Sequence, residues 1–177
     1  MNNLKFVSVL PISKFNNTIY ILLGREQAYK NWKDSFKYCD FGGLIEKNEN
    51  ILDAAARECY EETMGFLGSY EYIRKNISPN SKYFINAIKF NNGIIIIYKI
   101  DYDKNIENHF ENVFNYFKKC SVKIKKKYRI PKCPHGFYEK NKIKWFTIND
   151  IKKSKNIFRK DFYNSFNKIL SLNLLKL

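Results

Sequence analysis

Residues 41–66, FGGLIEKNENILDAAARECYEETMGF, constrain the fold of this chain more than any other stretch. Two adjacent glycines predict a turn, and a polar loop follows them. The segment from Ile51 to Met64 contains neither Gly nor Pro, which predicts a helix. Asn50 is a suitable N-cap for it, with Asp53 three residues later in a position like that of a capping box. On a helical projection, the face opposite Leu52, Ala56, Cys59 and Thr63 carries three glutamates, Glu58, Glu61 and Glu62.

The three carboxylates repel one another unless a cation lies among them. Mg²⁺ and Mn²⁺ are hard ions that prefer oxygen ligands such as carboxylates. The sequence therefore predicts a divalent-cation site on this helix. The alternative is an acidic helix face that simply contacts water.

The spacing of charged residues in this stretch follows a known pattern. Gly43, Glu49 after five residues, and Arg57–Glu62 after seven more fit GX5EX7REUXEE, where U is an aliphatic residue. Residues Gly43 to Gly65 therefore resemble the box of the Nudix hydrolase family. Met64 stands where the pattern has glycine, and Gly65 follows one residue late, so we expect the helix to end one residue later. Cys59 replaces the aliphatic residue, a mild change because free cysteine behaves as a small hydrophobe.

The resemblance implies an α/β fold, the Nudix-type α/β/α sandwich with a mixed sheet between helices. We expect a single domain over residues 1–177, with a helical and basic insertion at about 101–136. The implied reaction is metal-dependent attack by water on a phosphoanhydride bond, in a nucleoside diphosphate linked to another moiety. The resemblance also implies that Glu49 and Arg57 pair to tie the loop to the helix.

The resemblance also implies the residues of the site. The carbonyl of Gly42 and the carboxylates of the three box glutamates are the expected ligands of Mg²⁺ or Mn²⁺. Glu139, six residues before Trp145, is the expected additional ligand, with Glu107 and Glu111 as competing candidates. The expected catalytic and metal-binding carboxylates are thus Glu58, Glu61, Glu62 and Glu139, and which of them takes the proton of water stays open.

Substrate contacts are less specific. The resemblance makes Arg25, at the end of a predicted strand, a candidate for phosphate binding, and an ordinary surface charge is the equal alternative. Lys47 in the box loop is a second phosphate candidate. Trp32 is the candidate for stacking on a nucleobase, with Phe36 and Tyr38 as alternatives.

Hydrophobic patterns outside the box predict the remaining elements. An apolar run at Ile94–Ile97 predicts a strand buried on both faces, and the turn at residues 91–93 predicts a hairpin. Ser69–Lys75 reads as a strand, Ile106–Cys120 as an amphipathic helix, and Asp150–Leu177 as one final helix. Further strands are predicted at residues 4–10, 18–23, 83–90 and 93–100, and the resemblance implies that residues 145–148 form the last strand of the sheet.

The chain carries 32 Lys and Arg against 17 Asp and Glu, a net charge of +15. This excess favours polyanionic partners. Lys118 to Arg129 holds seven positive charges in twelve residues, which favours contact with a nucleic-acid backbone or a polyphosphate, a solvated loop being the alternative. Two substrate hypotheses follow, a free nucleotide or the 5′ cap of RNA. A third hypothesis is a non-catalytic module that binds nucleotide or RNA.

The chain shows no sign of membrane insertion or secretion. No apolar run approaches the roughly 20 residues of a membrane span. The first residues lack a basic segment followed by an apolar one, so no signal peptide is indicated. Four cysteines without CxxC spacing predict a reduced, intracellular and cytoplasmic protein.

Overall fold

A mixed seven-stranded sheet with helices on both faces forms the core of the molecule. The computed structural model describes residues 4–28, 31–124 and 136–175. The strands are β1 (Phe6–Phe15), β2 (Thr18–Glu26), β3 (Tyr38–Cys39), β4 (Phe41–Leu44), β5 (Phe84–Phe90), β6 (Gly93–Lys99) and β7 (Lys140–Thr147). The helices are α1 (Ile51–Glu62), α2 (Tyr70–Asn76), α3 (Ile106–Ile124), α4 (Ile148–Lys153) and α5 (Lys160–Ser171).

Strand β1 organises the sheet because it has three partners. It pairs in parallel with β6 along one edge. Along the other edge it pairs antiparallel with β4 over residues 6–9 and with β2 over residues 12–15. Pro11, which has no N–H to donate to a ladder, lies between these two pairings. Strands β2 and β4 therefore follow one another along the same edge of β1, and at Asp40 the chain passes from β3, which pairs with β2, into β4, which pairs with β1.

Alternate residues of the strands supply two apolar layers. Val7, Val9 and Ile96 pack under α1 and α2, and Leu22 with Trp145 extends the same face under α3. Leu10, Ile12 and Ile97 face α4 and α5 on the other side. Burial of residues 95–97 on both faces of β6 confirms the prediction made from the isoleucine run.

Helix α2 corrects a prediction, since a strand was expected at Ser69–Lys75. Ser69 caps the helix, its Oγ accepting the backbone N–H of Tyr72 at 3.2 Å. Glu71 lies in the first turn and Arg74 in the last, the charge order that the helix dipole favours. The aromatic and β-branched residues that indicated a strand therefore count for less here than the cap and the charges.

The C-terminal region also differs from the prediction of one continuous helix. It forms α4, a 3₁₀ turn at Lys155–Ile157, and then α5. An apolar stripe of this region packs on the sheet: Phe158, Phe162, Phe166 and Ile169 are buried against it, and Leu170 is partly buried there.

The part of the chain that the structure describes contains no helix long and apolar enough to cross a membrane.

Helix α3 confirms the amphipathic helix expected from Ile106, with Phe110 and Phe114 in the core. Most of the basic segment Lys118–Arg129 lies outside the described residues and side chains, so its proposed contact with a polyanion stays a prediction.

Candidate active site

The loop and helix of residues 43–65 form the frame of the site. Asn50 caps α1, its Oδ1 accepting the N–H of Asp53 at 2.9 Å. Residues Ala54, Ala55 and Ala56 are fully buried against the sheet. The expected extension of the helix past its usual end is wrong, because α1 ends at Glu62. Met64 itself adopts the left-handed conformation, with φ of 51°, that the family's glycine would occupy without strain.

Arg57 ties the loop to the helix as expected. Its Nε and Nη2 each donate to one oxygen of Glu49, both at 2.9 Å. Nη2 also donates to the carbonyl of Leu44 at 3.1 Å. The hydrogen bonds from Arg57 hold the pKa of Glu49 below its ordinary value. This bidentate pair fixes where the loop stands relative to α1.

Glu58, Glu61 and Glu139 line one pocket of about 510 Å³, together with Lys47 and Arg57. Nη1 of Arg57 lies 2.8 Å from Oε1 of Glu58 and 3.6 Å from Oε2 of Glu61. Burial raises the pKa of both glutamates, Arg57 opposes this shift, and the charge of Glu139 adds to it. The pocket therefore combines carboxylates that need a positive charge with cations that can meet a phosphate.

Glu139 reaches this pocket from a distant segment through a short turn. Its N–H donates to the carbonyl of Gly136 at 3.1 Å, and its own carbonyl accepts the N–H of Gln27 at 2.8 Å. Gly136 has φ of 104°, and a Cβ built on it would lie 2.7 Å from Oε2 of Glu61. This turn therefore lies directly against Glu61, an approach that only glycine permits.

Glu62 does not share the solvent-facing side of α1 with the other two glutamates, which corrects the helical projection. It is 2% exposed. Its Oε2 accepts the N–H of Gly42 at 2.8 Å, and its Oε1 lies 3.0 Å from Nζ of Lys140. Burial raises the pKa of Glu62 to about 8, although Lys140 pulls it down. Glu62 lines a second pocket of about 380 Å³ with Glu26, Trp32, Gly42, Glu139 and Arg159. Glu139 lines both pockets and joins them.

The two glycines at 42 and 43 lie in strand β4, where a turn was predicted. Both glycines nevertheless lie where neighbouring elements approach closely. A Cβ on Gly42 would collide with the carbonyl oxygen of Val7 and with Ser8 of strand β1. A Cβ on Gly43 would lie 2.5 Å from Oε1 of Glu58. The glycines thus let α1 and β1 approach β4 from two sides.

Comparison with known proteins decides the family. The NUDIX domain model matches residues 5–166, nearly the whole chain. The chain belongs to the NUDIX domain family. No curated protein matches it by sequence.

Solved structures confirm the fold of this NUDIX domain. A bifunctional NMN adenylyltransferase/ADP ribose pyrophosphatase from Francisella tularensis, complexed with AMP and a Mn ion, superimposes with a TM-score of 0.52 at 18% identity. That match covers 94% of this chain and 41% of the other, so this chain spans about two fifths of that protein's length. A Nudix hydrolase from M. smegmatis, RenU, gives a TM-score of 0.52 at 8% identity, covering 97% of this chain and 88% of the other.

The candidate substrate residues lie in different places. Lys47 lines the first pocket and Trp32 the second. The guanidinium of Arg159 lies 5.7 Å from the centre of the Trp32 ring. Arg25 is absent from the linings of both pockets as the described residues define them; its Nε donates to Asn141 at 2.8 Å and its guanidinium lies over Phe36.

The competing acidic candidates have other partners. Glu107 accepts the backbone N–H of Trp145 at 2.9 Å, and Glu111 pairs with Lys142 at 3.0 Å. Of the alternative aromatic residues, Phe36 is exposed, while Tyr38 packs edge-on against Phe146. The geometry therefore favours Glu139 over Glu107 and Glu111 as the glutamate that joins the box.

The donor set fits a hard divalent cation by its chemistry. Glu58, Glu61, Glu62 and Glu139 offer carboxylate oxygens around two joined pockets, as Mg²⁺ and Mn²⁺ require. Within the described residues, no three His, Cys, Asp or Glu side chains converge closely enough to hold a metal. Arg57 and Lys140 supply the positive charge beside these carboxylates. Glu58 and Glu61, which now contact Arg57, would therefore have to turn toward a bound cation to hold it.

The buried residues under the second pocket were not predicted from the sequence. Nζ of Lys140 lies 2.7 Å from Oε1 of Glu26 and 3.2 Å from Sγ of Cys39. Nη1 of Arg159 reaches the same oxygen of Glu26 at 3.1 Å. Lys140 stands in the lysine-rich segment KNKIK, where no local pattern separates a buried lysine from exposed ones.

Proposed function

We propose that this NUDIX domain hydrolyses a phosphoanhydride bond in a nucleoside diphosphate linked to another moiety, with Mg²⁺ or Mn²⁺ as cofactor, within one domain. The observation that carries the proposal is the first pocket, which brings Glu58, Glu61 and Glu139 together with Lys47 and Arg57. A diphosphate carries clustered negative charge, so its binding needs cations on both the protein and the cofactor side. The neighbour from Francisella, named as an ADP ribose pyrophosphatase and complexed with AMP and Mn, supports the same substrate class.

In this proposal each residue of the site has a separate task. Glu58, Glu61, Glu62, Glu139 and the carbonyl of Gly42 hold the divalent cation. When bound, the cation neutralises the diphosphate and lowers the pKa of the attacking water. Lys47 orients the phosphates from the pocket wall, Arg57 holds the loop against α1, and one of the four glutamates accepts the proton of the water. The indole of Trp32, in the adjoining pocket, offers a face for the nucleobase.

Replacing Glu61 by glutamine tests the reaction. We expect hydrolysis to fall by roughly 10²-fold or more, because the loss removes a charged ligand from the pocket. The measurement is separation of nucleotide products from a panel of nucleoside triphosphates, dinucleoside polyphosphates and nucleotide sugars with Mg²⁺. Glu71→Gln is the matched control, since Glu71 is exposed on α2 and lies outside both pocket linings among the described residues.

If the wild-type chain turned over no member of this panel or capped RNA, yet bound nucleotides in calorimetry, the enzyme proposal would be wrong. The non-catalytic binding module would then be the better account. Equal rates for wild type and Glu61→Gln would remove Glu61 from the site.

One observation favours capped RNA as a second substrate class. The net charge of +15 gives the chain an excess of cations for holding a polyanion. If lysines and arginines of the chain neutralise about four phosphates of the RNA, the affinity for RNA should fall roughly 50-fold between 50 and 200 mM salt. Filter binding of cap-labelled RNA at several salt concentrations measures this slope, and uncapped RNA is the control for the contribution of the cap.

Adding cap-labelled RNA to the substrate panel separates the two substrate classes. Release of m7GDP at a rate far above that for any free nucleotide would make decapping the function. A shallow salt slope with preferred turnover of a free nucleotide would exclude decapping.

The two buried thiols described, Cys39 and Cys59, are free, which fits a reducing compartment and supports the proposal of a cytoplasmic enzyme.

A further inference from the structure

Lys140 is a cation buried beneath the candidate active site. Its side chain is 1% exposed, although lysine is almost never fully buried without partners. An ammonium group has three N–H donors, and Lys140 has three acceptors within reach. These are Oε1 of Glu26 at 2.7 Å, Oε1 of Glu62 at 3.0 Å and Sγ of Cys39 at 3.2 Å.

The strands around Lys140 form a channel for its side chain. A Cβ built on Gly24 of β2 would lie 2.8 Å from Cγ and 2.9 Å from Cδ of Lys140. The ring of Phe41 closes the same space, at 2.9 Å from that Cβ. Since real Cβ atoms do not approach so closely, the aliphatic stem of Lys140 fills the space that any side chain at residue 24 would need. Gly24 therefore leaves room for the stem of Lys140, whose ammonium group lies beside Glu62.

Glu62 is held at both of its oxygens. Oε2 accepts the N–H of Gly42 on strand β4, and Oε1 faces Lys140. Rotation of the carboxylate would break one of these contacts and leave a buried donor without a partner. Glu62 also lines the pocket that it shares with Glu139. Contacts from β4 and β7 thus fix the orientation of the Glu62 carboxylate toward that pocket.

The charges of the buried group are balanced. Glu26 and Glu62 supply two carboxylates, and Lys140 and Arg159 supply two cations, with Arg159 bound to Glu26. Of these two cations, Lys140 is the one that contacts Glu62. Without it, Glu62 would be a buried carboxylate with no cation in contact among the residues that the structure describes.

We infer that Lys140 is a positioning residue for Glu62: it fixes the carboxylate against β4 and so sets the affinity of the site for a divalent cation. The inference rests on the proposed function, in which Glu62 is a ligand of Mg²⁺ or Mn²⁺. Partners that orient a ligating carboxylate contribute about 10–100-fold to metal affinity or activity. Among the described residues, Lys140 lies outside the linings of both pockets, so it takes part in no chemical step of the proposed reaction.

The test measures Mn²⁺ binding directly, by electron paramagnetic resonance of free Mn²⁺ during titration of the chain, and kcat and KM on the active member of the panel. We expect Lys140→Met to bind Mn²⁺ about 10–100-fold more weakly than the wild type. Its kcat should be lower, and its KM should be unchanged. Lys142→Met is the matched control, because Lys142 lies on the same strand in a half-buried pair with Glu111. It should bind Mn²⁺ as the wild type does.

Two further variants separate positioning from folding. Gly24→Ala keeps every charged group but displaces the stem of Lys140, so it should weaken Mn²⁺ binding in the same direction, by a smaller factor. In Glu26→Gln/Lys140→Met the buried cation and one buried carboxylate are removed together, which should recover thermal stability lost in Lys140→Met. Mn²⁺ affinity should stay low in this double variant. Recovery of wild-type Mn²⁺ affinity there would show a merely structural role and overturn the inference.

The outcomes also separate this inference from the proposed function. If the wild type neither binds Mn²⁺ nor hydrolyses the panel, the proposed function fails and the inference fails with it. If the wild type binds Mn²⁺ and Glu61→Gln weakens that binding, the metal site is established. Should Lys140→Met, or Gly24→Ala if the former does not fold, then bind Mn²⁺ like the wild type, the inference alone is wrong.

Discussion

Replacing Glu62 by glutamine is expected to lower kcat by roughly 10²–10⁴-fold, the range that a positioned acid–base or ligating group contributes. The change keeps the shape of the side chain but removes its negative charge from the pocket. It also creates a local conflict, because both neighbours of Glu62 are donors. Gly42 N–H faces one oxygen and Lys140 Nζ faces the other, so an amide NH₂ must point at a donor in either orientation. An unsatisfied buried donor costs about 1–3 kcal/mol, so the free energy of unfolding should fall as well.

The Glu62→Gln prediction is checked by initial rates at saturating substrate with Mg²⁺ and with Mn²⁺, beside thermal denaturation of the same samples. Glu111→Gln is the matched control, since Glu111 of α3 forms a half-buried pair with Lys142 of β7, away from the box. It should retain the rate and the midpoint temperature of the wild type. A Glu62→Gln chain that stays within threefold of the wild-type kcat would show that the buried glutamate takes no part in the reaction.

The frame of the site was predictable because its determinants lie close together in the chain. The N-cap at Asn50, the apolar face of α1 and the pairing of Glu49 with Arg57 all fall within one stretch. Spacing within a helix converts directly into direction, so the positions of Glu58 and Glu61 beside Arg57 follow from local geometry. The body of α1 and the directions of Glu58 and Glu61 were therefore predicted correctly, whereas the end of the helix and the turn at the two glycines were not.

The environment of Glu62 was not predictable in the same way. A helical projection gives the direction of a side chain about the helix axis but not what packs against that direction. Strand β4 and the start of β7 cover Glu62, and Lys140 comes from a segment 78 residues later in the chain. Long-range contacts of this kind leave no periodic pattern. They divide one predicted acidic face into an open pocket and a buried charge network.

Helix α2 shows a different limit. Tyrosine and isoleucine in residues 70–76 favour a strand by propensity, yet that propensity depends on a sheet surface to pack against. Ser69 at the N-cap and Arg74 near the C-terminus favour a helix through contacts that need no distant partner. The capping signal was present in the sequence and was the better guide.

Replacing Gly42 by alanine is expected to disturb both the sheet and the site, by about 3 kcal/mol in the free energy of unfolding. The added methyl would collide with the carbonyl oxygen of Val7, and it would lie 2.5 Å from Cα of Ser8. These are backbone atoms of β1, paired with β4 at Gly42 and Ser8, so they cannot turn aside as a flexible side chain can. The strands must separate instead, which should lower the midpoint of thermal unfolding by about 6–12 °C.

The same separation should reach the active site, because the N–H of Gly42 is one of the two donors that hold Glu62. We therefore expect Gly42→Ala to lose kcat together with stability, measured by initial rates well below the unfolding transition. Gly93→Ala is the matched control: it also lies in a strand beside β1, but its Cβ would meet atoms at 3.6–3.7 Å, which is ordinary contact. Gly93→Ala should keep both properties, whereas a stable and active Gly42→Ala would contradict the close approach of β4 to β1. Loss of stability with normal kcat would instead separate the strand contact from the orientation of Glu62, and would leave Lys140 as its principal support.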